Sequence, residues 1–454
     1  MALLLRAHDV TSSPHPLRAR ICALACLIAL TLSALAPTAA AALTDPALEA
    51  TAALLVEPTS GTVLYELNAD ETRYPASTTK IMTALVTLEN ADLTQQVTVE
   101  EGDFTHVTAD SSVAGFEPGE VLTVEQLLYG LMLPSGNDAS YILARAVAGD
   151  VDTFVQMMND RAAELGCTGT HFANPCGLHD DNHYTTARDL MRITQAAMAN
   201  PTFAQIVSTP SFELPVTNLQ EARTLENSNL LLDSTSSVYY APAQGIKTGN
   251  TTEAGRCLVA AASQDDVTLY SVVLGCADAE IPASLTETKR LFEWAYAEWS
   301  VQEIVTAGTA LQTVDVVDAH QGEQLQVTAD GTLAKLLPND TDHAAITVSF
   351  DLPEEFCAPY TQGDVIGTAT YTLNGELLGK VTLSAGNDVD LSALAQIRNI
   401  ALGIISSPIT WVVLGVFVVL IIASIMRGWQ QRRRRLTSQP RHSQPPRSRG
   451  AHFK

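Results

Sequence analysis

Tyr74-Pro75-Ala76-Ser77-Thr78-Thr79-Lys80-Ile81-Met82-Thr83-Ala84-Leu85 places a serine three residues before a lysine where an apolar run begins. The stretch is expected to open a helix, and residues three apart on a helix share a face, so the Ser77 hydroxyl and the Lys80 amine can meet. That pairing is useful chemistry. A serine hydroxyl is a weak nucleophile until a neighbouring base takes its proton, and a lysine kept neutral by burial or by a nearby cation is such a base. A position at the helix start adds the partial positive charge of the N-terminus, which favours an oxyanion there. Alone, the pair is a weak signal: common residue types produce Ser-x-x-Lys about once by chance in a chain this long. An exposed first helical turn is the ordinary alternative.

The 454 residues suffice for two or three domains, and a hydrophobic content of 46% allows a sizeable core. Arg6, Arg18 and Arg20 precede an uncharged apolar run over 21–34 and the small-residue stretch 38–42, the layout of a secretory signal peptide over residues 1–42. Residues 407–426 form a second uncharged run, of about the 20 residues needed to cross a bilayer. Arg427 and Arg432 to Arg435 follow it, so a transmembrane helix with a basic cytoplasmic tail at 427–454 and everything before it outside is expected. Removing both ends leaves 14 Lys and Arg against 49 Asp and Glu, a formal charge near −35. Such a surface disfavours nucleic acid as a partner.

Five cysteines remain outside the leader, an odd number with no zinc-like spacing. Cys167 and Cys176 are the pair best suited to a disulfide, whereas Cys257 and Cys276 lie in apolar runs and read as buried thiols. His171, His179 and His183 cluster with Asp180 and Asp181, but the surrounding Gly and Asn residues indicate a loop, and His-x-x-x-His shares a face only in a helix. No metal and no cofactor is expected.

Along the exported chain, 52–56 and 62–65 read as a hairpin, and 121–147 as helical but broken at Leu133-Pro134-Ser135-Gly136-Asn137-Asp138. A loop between apolar helices can push Ser135 and Asn137 into a cleft. Residues 152–165 and 185–199 are expected to be helices flanking the loop 168–184. Gly245-Ile246-Lys247-Thr248-Gly249-Asn250 begins three neighbouring strands, followed by a helix over 282–299. Gly249 there would leave room for a substrate to lie beside the strand. Runs at 345–350, 365–373 and 379–384, with a turn at Asn374-Gly375, indicate a small β-rich domain.

Ser-x-x-Lys at 77–80, Ser-Gly-Asn at 135–137 and Lys-Thr-Gly at 247–249 occur in the order of the signature of penicillin-binding proteins and class A β-lactamases, with Gly136 where the usual form has Asp. Two of the chain's six lysines fall in these motifs. With the surrounding stretches 74–85, 128–139, 174–190 and 245–261, residues 45–385 resemble the D-alanyl-D-alanine carboxypeptidases, the low-molecular-mass penicillin-binding proteins. The resemblance implies an α/β (α+β) penicillin-binding/β-lactamase-like transpeptidase fold at 43–300, an antiparallel sheet flanked by helices. It also implies a small all-β domain at 301–390, joined by a linker at 391–406 to the transmembrane helix.

It implies roles as well. Ser77 would be the nucleophile and Lys80 its general base, held neutral by burial and by the second cation Lys247. Ser135 would relay a proton to the leaving amine, Asn137 would hold the substrate amide, and Lys247 and Thr248 the terminal carboxylate. The backbone N–H groups of Ser77 and Asn250 would form the oxyanion hole. The implied partners are peptidoglycan stem peptides ending in D-Ala-D-Ala, with β-lactams as inhibitors. A β-lactamase is the first rival, but the Glu-x-x-Leu-Asn loop of class A enzymes has no counterpart between Asn137 and Lys247. A non-catalytic wall-binding relative would usually have lost Ser77, Lys80 or Lys247.

Overall fold

The computed structural model describes residues 44–436; the expected signal peptide and most of the basic tail lie outside the described residues. Two compact units result. The first is the chain up to Gln302 with the return segment Leu336–Asp342, and the second is Glu303–Lys335 with the chain from His343 onward.

In the first unit, β1 (Ala52–Glu57) and β2 (Thr62–Leu67) form the expected hairpin. The strands β3 (Ala243–Thr251), β4 (Gly255–Gln264) and β5 (Val267–Cys276) form a meander, and the antiparallel order is β2-β1-β5-β4-β3. Leu54 sits opposite Val272, so the beginning of the chain closes the sheet against its last strand. β3 is left at an edge. Successive side chains of a strand point to opposite faces, and here both faces are covered. Cys257, Val259 and Ala261 join the core shared with most of the helices. Leu258, Ala260 and Ala262 pack in a second core with Leu285, Leu291, Phe292 and Ala295 of the C-terminal helix of the unit, Ala283–Glu298. Burial on both sides explains why these strands read as unbroken apolar runs rather than alternating ones.

The helical layer is built around α1 (Lys80–Asn90), whose residues 80–87 are all buried. Around it lie α2 (Val124–Met132), α3 (Asn137–Ala148), α4 (Val151–Glu164), α5 (Ala187–Met198) and α6 (Pro201–Ser208). Their starts follow local chemistry: Thr123, Asp150, Thr186 and Asn200 each accept a backbone N–H of the first turn. The helix Ala283–Glu298, α7, starts one residue after Pro282. Ser77 itself lies in a one-turn 3-10 helix, Ala76–Thr79, that leads into α1.

The second unit holds a five-stranded antiparallel sheet of β6 (Ala310–Asp315), β7 (Gln324–Ala329), β8 (Ile346–Asp351), β9 (Val365–Leu373) and β10 (Glu376–Ala385), in the order β6-β7-β10-β9-β8. Asn374 and Gly375 turn β9 into β10 with φ of 52° and 88°, the left-handed values a tight hairpin requires. Beyond the sheet come α8 (Ala393–Ser406) and α9 (Pro408–Leu436). Pro408–Arg434 is a helix long and apolar enough to cross a membrane.

The expected connection at 391–406 is helical: Ser392 caps a helix on which Leu394, Ile397, Ile400 and Ile404 recur at helical spacing, all exposed. One expectation is corrected. Cys167 and Cys176 form no disulfide, because their thiols serve different partners. The Cys167 thiol faces the Asp189 carbonyl at 3.5 Å, and that of Cys176 faces Asn174 Oδ1 at 3.3 Å. Cys257 and Cys276 are buried free thiols, and Cys357 is exposed.

Glu287 on α7 is buried and accepts the backbone N–H groups of Glu49 and Ala50 at 3.0 and 2.9 Å, tying the first residues of the unit to its last helix. Replacing a charged acceptor and stranding two N–H groups costs roughly 2–4 kcal/mol. Glu287→Leu should therefore lower the urea midpoint markedly. An unchanged midpoint would show that the N-terminal segment is held by other contacts.

Candidate active site

Four segments distant in sequence meet at Ser77. In the 3-10 turn residues i and i+3 eclipse, which sets the Lys80 amine 3.0 Å from Ser77 Oγ. Lys80 Nζ also donates to Asn137 Oδ1 and to the Cys176 carbonyl, both at 2.7 Å. The lysine is fully buried, and burial lowers its pKa to about 8, with the Cys176 thiol and the Asp138 carboxylate acting in the opposite direction. Lys247, also buried, is pushed well below its ordinary value by burial and then by the charge of Lys80. Burial is the leading cause at both lysines, and two buried amines this close disfavour two charges at once.

Ser135 sits in the break between α2 and α3, buried, with φ at +67°. A non-glycine residue in that region costs roughly 1–3 kcal/mol, a conformation found disproportionately at functional sites. Ser135 lines a cavity of about 300 Å³ together with Ser77, Ser228, Thr248, Gly249 and Asn250. Asn137 lines a neighbouring cavity of about 380 Å³ that again includes Ser77 and Asn250. Lys247 Nζ donates to its neighbour's carbonyl, Thr248 O, at 3.1 Å, and Thr248 Oγ1 lies 2.7 Å from Ser228 Oγ. Six of the eight anticipated residues, Ser77, Ser135, Asn137, Thr248, Gly249 and Asn250, line these two cavities; Lys80 reaches Ser77 from beneath, and Lys247 is buried on the edge strand β3.

Gly249 has a different role from the one expected. A Cβ there would lie 3.0 Å from Pro75 O and 3.2 Å from Ser77 N, so the space it frees is filled by the turn that carries Ser77. From the opposite side comes Gly177, φ +88°, where a Cβ would fall 1.9 Å from Ala76 O. Two glycines, one from β3 and one from the loop 168–184, clamp the turn that carries Ser77.

Several contributors carry no recognisable sequence signal. Asp138, fully buried, accepts the N–H groups of Ala114, Gly115 and Phe116 at 2.9, 3.0 and 3.2 Å and so pins the preceding loop. That loop supplies Ser111, whose Oγ accepts from Asn137 Nδ2 at 3.0 Å, and Ser112, whose carbonyl accepts from Asn137 N at 2.8 Å. The Cys176 carbonyl is a backbone atom and invisible to residue type. His183, singled out only as part of a histidine cluster, is 2% exposed. Its Nδ1 accepts from Ala173 N at 3.1 Å, so the proton sits on Nε2, which donates to Thr79 Oγ1 at 2.7 Å; Thr79 in turn donates to Ala76 O at 2.8 Å. His179 packs edge-on against Tyr74, and His171 Nδ1 faces the Asn182 carbonyl. The three imidazoles address three different partners.

Residues 38–278 match the family described as D-alanyl-D-alanine carboxypeptidase, and residues 299–391 match the penicillin-binding protein 5 C-terminal domain. The chain belongs to the D-alanyl-D-alanine carboxypeptidase family. It is 30% identical to the D-alanyl-D-alanine carboxypeptidase DacF of Bacillus subtilis over 75% of this chain and 86% of that protein. It is 38% identical to the D-alanyl-D-alanine carboxypeptidase of Streptomyces sp. K15 over 58% of this chain and 92% of the relative. Among solved structures, penicillin binding protein 5 from Haemophilus influenzae aligns over 76% of this chain and 99% of its own, with a TM-score of 0.57 at 29% identity. The Streptomyces K15 DD-transpeptidase covers 56% of this chain, with a TM-score of 0.52 at 38% identity.

Burial lowers the pKa of His183 from 6.5 to about 4. The unfolded chain therefore binds a proton in this window that the folded chain refuses, and the contribution to stability is complete above pH 6.5 and lost as pH falls towards 4. Denaturation midpoints measured from pH 7.5 to 4 should fall steeply in the wild type and more gently in His183→Gln. Parallel curves would show that another group governs the acid limb.

Proposed function

We propose that this family member is a serine D-alanyl-D-alanine carboxypeptidase that removes the terminal D-alanine from peptidoglycan stem pentapeptides through an acyl-enzyme on Ser77. The observation that carries the mechanism is the coordination of Lys80. A neutral lysine amine has two N–H donors and one lone pair; Asn137 Oδ1 and the Cys176 carbonyl, both pure acceptors, take the two donors. The lone pair is left for the Ser77 hydroxyl proton at 3.0 Å. As Ser77 Oγ attacks the carbonyl of the penultimate D-alanine, Lys80 takes its proton, and the N–H groups of Ser77 and Asn250 receive the negative charge on the carbonyl oxygen.

Collapse of the tetrahedral species breaks the peptide bond, and Ser135 relays a proton to the departing D-alanine nitrogen. Water then attacks the ester and restores Ser77. The terminal carboxylate of the substrate meets Lys247 and Thr248; its arrival favours the charged form of Lys247, which the empty site disfavours. Asn137 holds the substrate amide. Loss of the terminal residue removes the donor bond for transpeptidation, so the activity limits cross-linking. A β-lactam, which presents an acylating carbonyl and a carboxylate, is attacked in the same way.

The wholly exposed apolar surface of α9 supports a membrane anchor: Trp411, Val413, Phe417 and Leu420 have no protein covering them, and lipid is the medium that would bury them. The following arginines support a cytoplasmic end, with the catalytic unit on the outer side.

Intact mass of the detergent-solubilised chain after addition of benzylpenicillin should show a lasting adduct of one drug mass, absent in Ser77→Ala. The wild type should also release D-alanine from an acyl-D-alanyl-D-alanine peptide. No adduct, or one that clears within seconds as the drug is consumed, would overturn the assignment, the latter in favour of a β-lactamase.

The base must be neutral, so kcat/KM should rise with pH and reach half its plateau near the Lys80 pKa of about 8. Below that pH the rate should fall about tenfold per unit. A profile flat from pH 6 to 10 would remove Lys80 from the base role.

A further inference from the structure

Ala76 and Ser77 share one peptide unit, and its two polar ends meet different surroundings. A trans peptide is planar with its C=O and N–H pointing in opposite directions, so whatever fixes the Ala76 carbonyl also fixes the Ser77 N–H. The N–H is one of the two donors assigned above to the oxyanion. The carbonyl is met from the interior, by the fully buried Thr79 and by the backbone that Gly177 lets approach. Ala76 has a φ of +49°, a left-handed value that costs a residue with a side chain roughly 1–3 kcal/mol. Its setting is therefore imposed by those contacts rather than by local preference.

The contacts run in one direction. Thr79 Oγ1 donates its single proton to Ala76 O at 2.8 Å, so towards His183 Nε2, 2.7 Å away, it must accept. Nδ1 of the same ring accepts from Ala173 N at 3.1 Å, which leaves the ring proton on Nε2. Each donor from Ala173 through His183 and Thr79 thus points towards the Ala76 carbonyl, and hydrogen bonds aligned in this way polarise one another. At the amide the effect continues. Electron density drawn onto the carbonyl oxygen deepens the double-bond character of C–N and leaves the Ser77 N–H more positive. The ring is itself fixed: His183 N donates to Asp180 O at 2.9 Å, and Phe172 packs edge-on with ring centroids 5.6 Å apart.

Resting on the acyl-enzyme mechanism above, we propose that His183 and Thr79 are positioning residues for the oxyanion, setting the direction and raising the donor strength of the Ser77 N–H. Neither lines the two cavities that hold Ser77, so their influence on the reaction passes through the peptide between Ala76 and Ser77. Acylation and deacylation both place negative charge on the same carbonyl oxygen, and both steps respond to the relay.

The test uses the full-length chain in detergent, with diacetyl-L-lysyl-D-alanyl-D-alanine as substrate and benzylpenicillin, followed by intact mass, to count competent sites. Thr79→Val keeps the shape and removes the proton, whereas Thr79→Ser keeps the proton. Loss of an oxyanion donor lowers kcat about 10²–10³-fold, and a donor that is present but misaligned should cost roughly ten- to a hundredfold. Thr79→Val should therefore lose that much in kcat per competent site with KM nearly unchanged, and its rate of acylation by penicillin should fall in step. Thr79→Ser should stay close to the wild type. If Thr79→Val does not fold, the same contrast is read from His183→Leu, which should lose rate, and His183→Gln, whose amide can still donate to Thr79 and should keep it. Fewer competent sites with an unchanged rate at each would make the relay a support of the fold alone and overturn the proposal. Equal losses in Thr79→Val and Thr79→Ser, or none in either, would overturn it as well. A wild type that neither acylates nor releases D-alanine would instead overturn the peptidase assignment, and the relay's part in it.

Discussion

A lysine amine buried without water must find partners or lose its charge, and the first unit is arranged around that requirement at Lys80. Its neighbours are a side-chain amide from the start of α3, a backbone carbonyl from the loop 168–184 and the hydroxyl one turn earlier. Each comes from a different segment, so the lysine can be satisfied only when those segments are assembled. The same burial that makes the charged amine costly lowers its pKa to about 8, so folding and the proposed chemistry draw on one constraint.

The turn that carries Ser77 is held largely by backbone chemistry. Gly249 and Gly177 let β3 and the loop 168–184 approach the turn from two sides, and the relay from His183 through Thr79 to Ala76 O fixes its carbonyl. Below it, α1 is buried over eight successive residues, so the turn stands on a helix that cannot shift without disturbing the whole core. Asp138 does for the opposite wall what the glycines do for the turn, using one carboxylate to order three N–H groups. Rigidity of this kind is what a site needs if its oxyanion donors are to be in place before the charge develops.

Much of this was legible in the chain. Three short motifs and their surroundings indicated the fold and the residues that converge at Ser77; the hairpin, the meander, α7 and the β-rich second unit follow from apolar periodicity and turn residues such as Asn374-Gly375. What misled was local plausibility. Cys167 and Cys176 are close in sequence, yet the loop between them turns the two thiols to different acceptors. The span 391–406 read only as a connection, and the Leu and Ile residues that recur there at helical spacing make that connection a helix. The histidines grouped within thirteen residues, by contrast, read as members of a loop, and there each ring meets a different partner.

The sequence by itself determined the chemistry: a serine and a lysine three apart, a second lysine on a strand, and apolar runs that dictate which segments must be buried. Only the tertiary structure decided the electrostatics and the shape of the site, because these depend on atoms that residue identity does not encode. The carbonyl of Cys176, the backbone N–H groups gathered by Asp138 and the close approach that gives Gly249 its purpose all arise from backbone brought together across large separations in the chain. A pKa follows the same logic, since the depth at which Lys80 and Lys247 are buried is a property of the packed molecule and not of either residue.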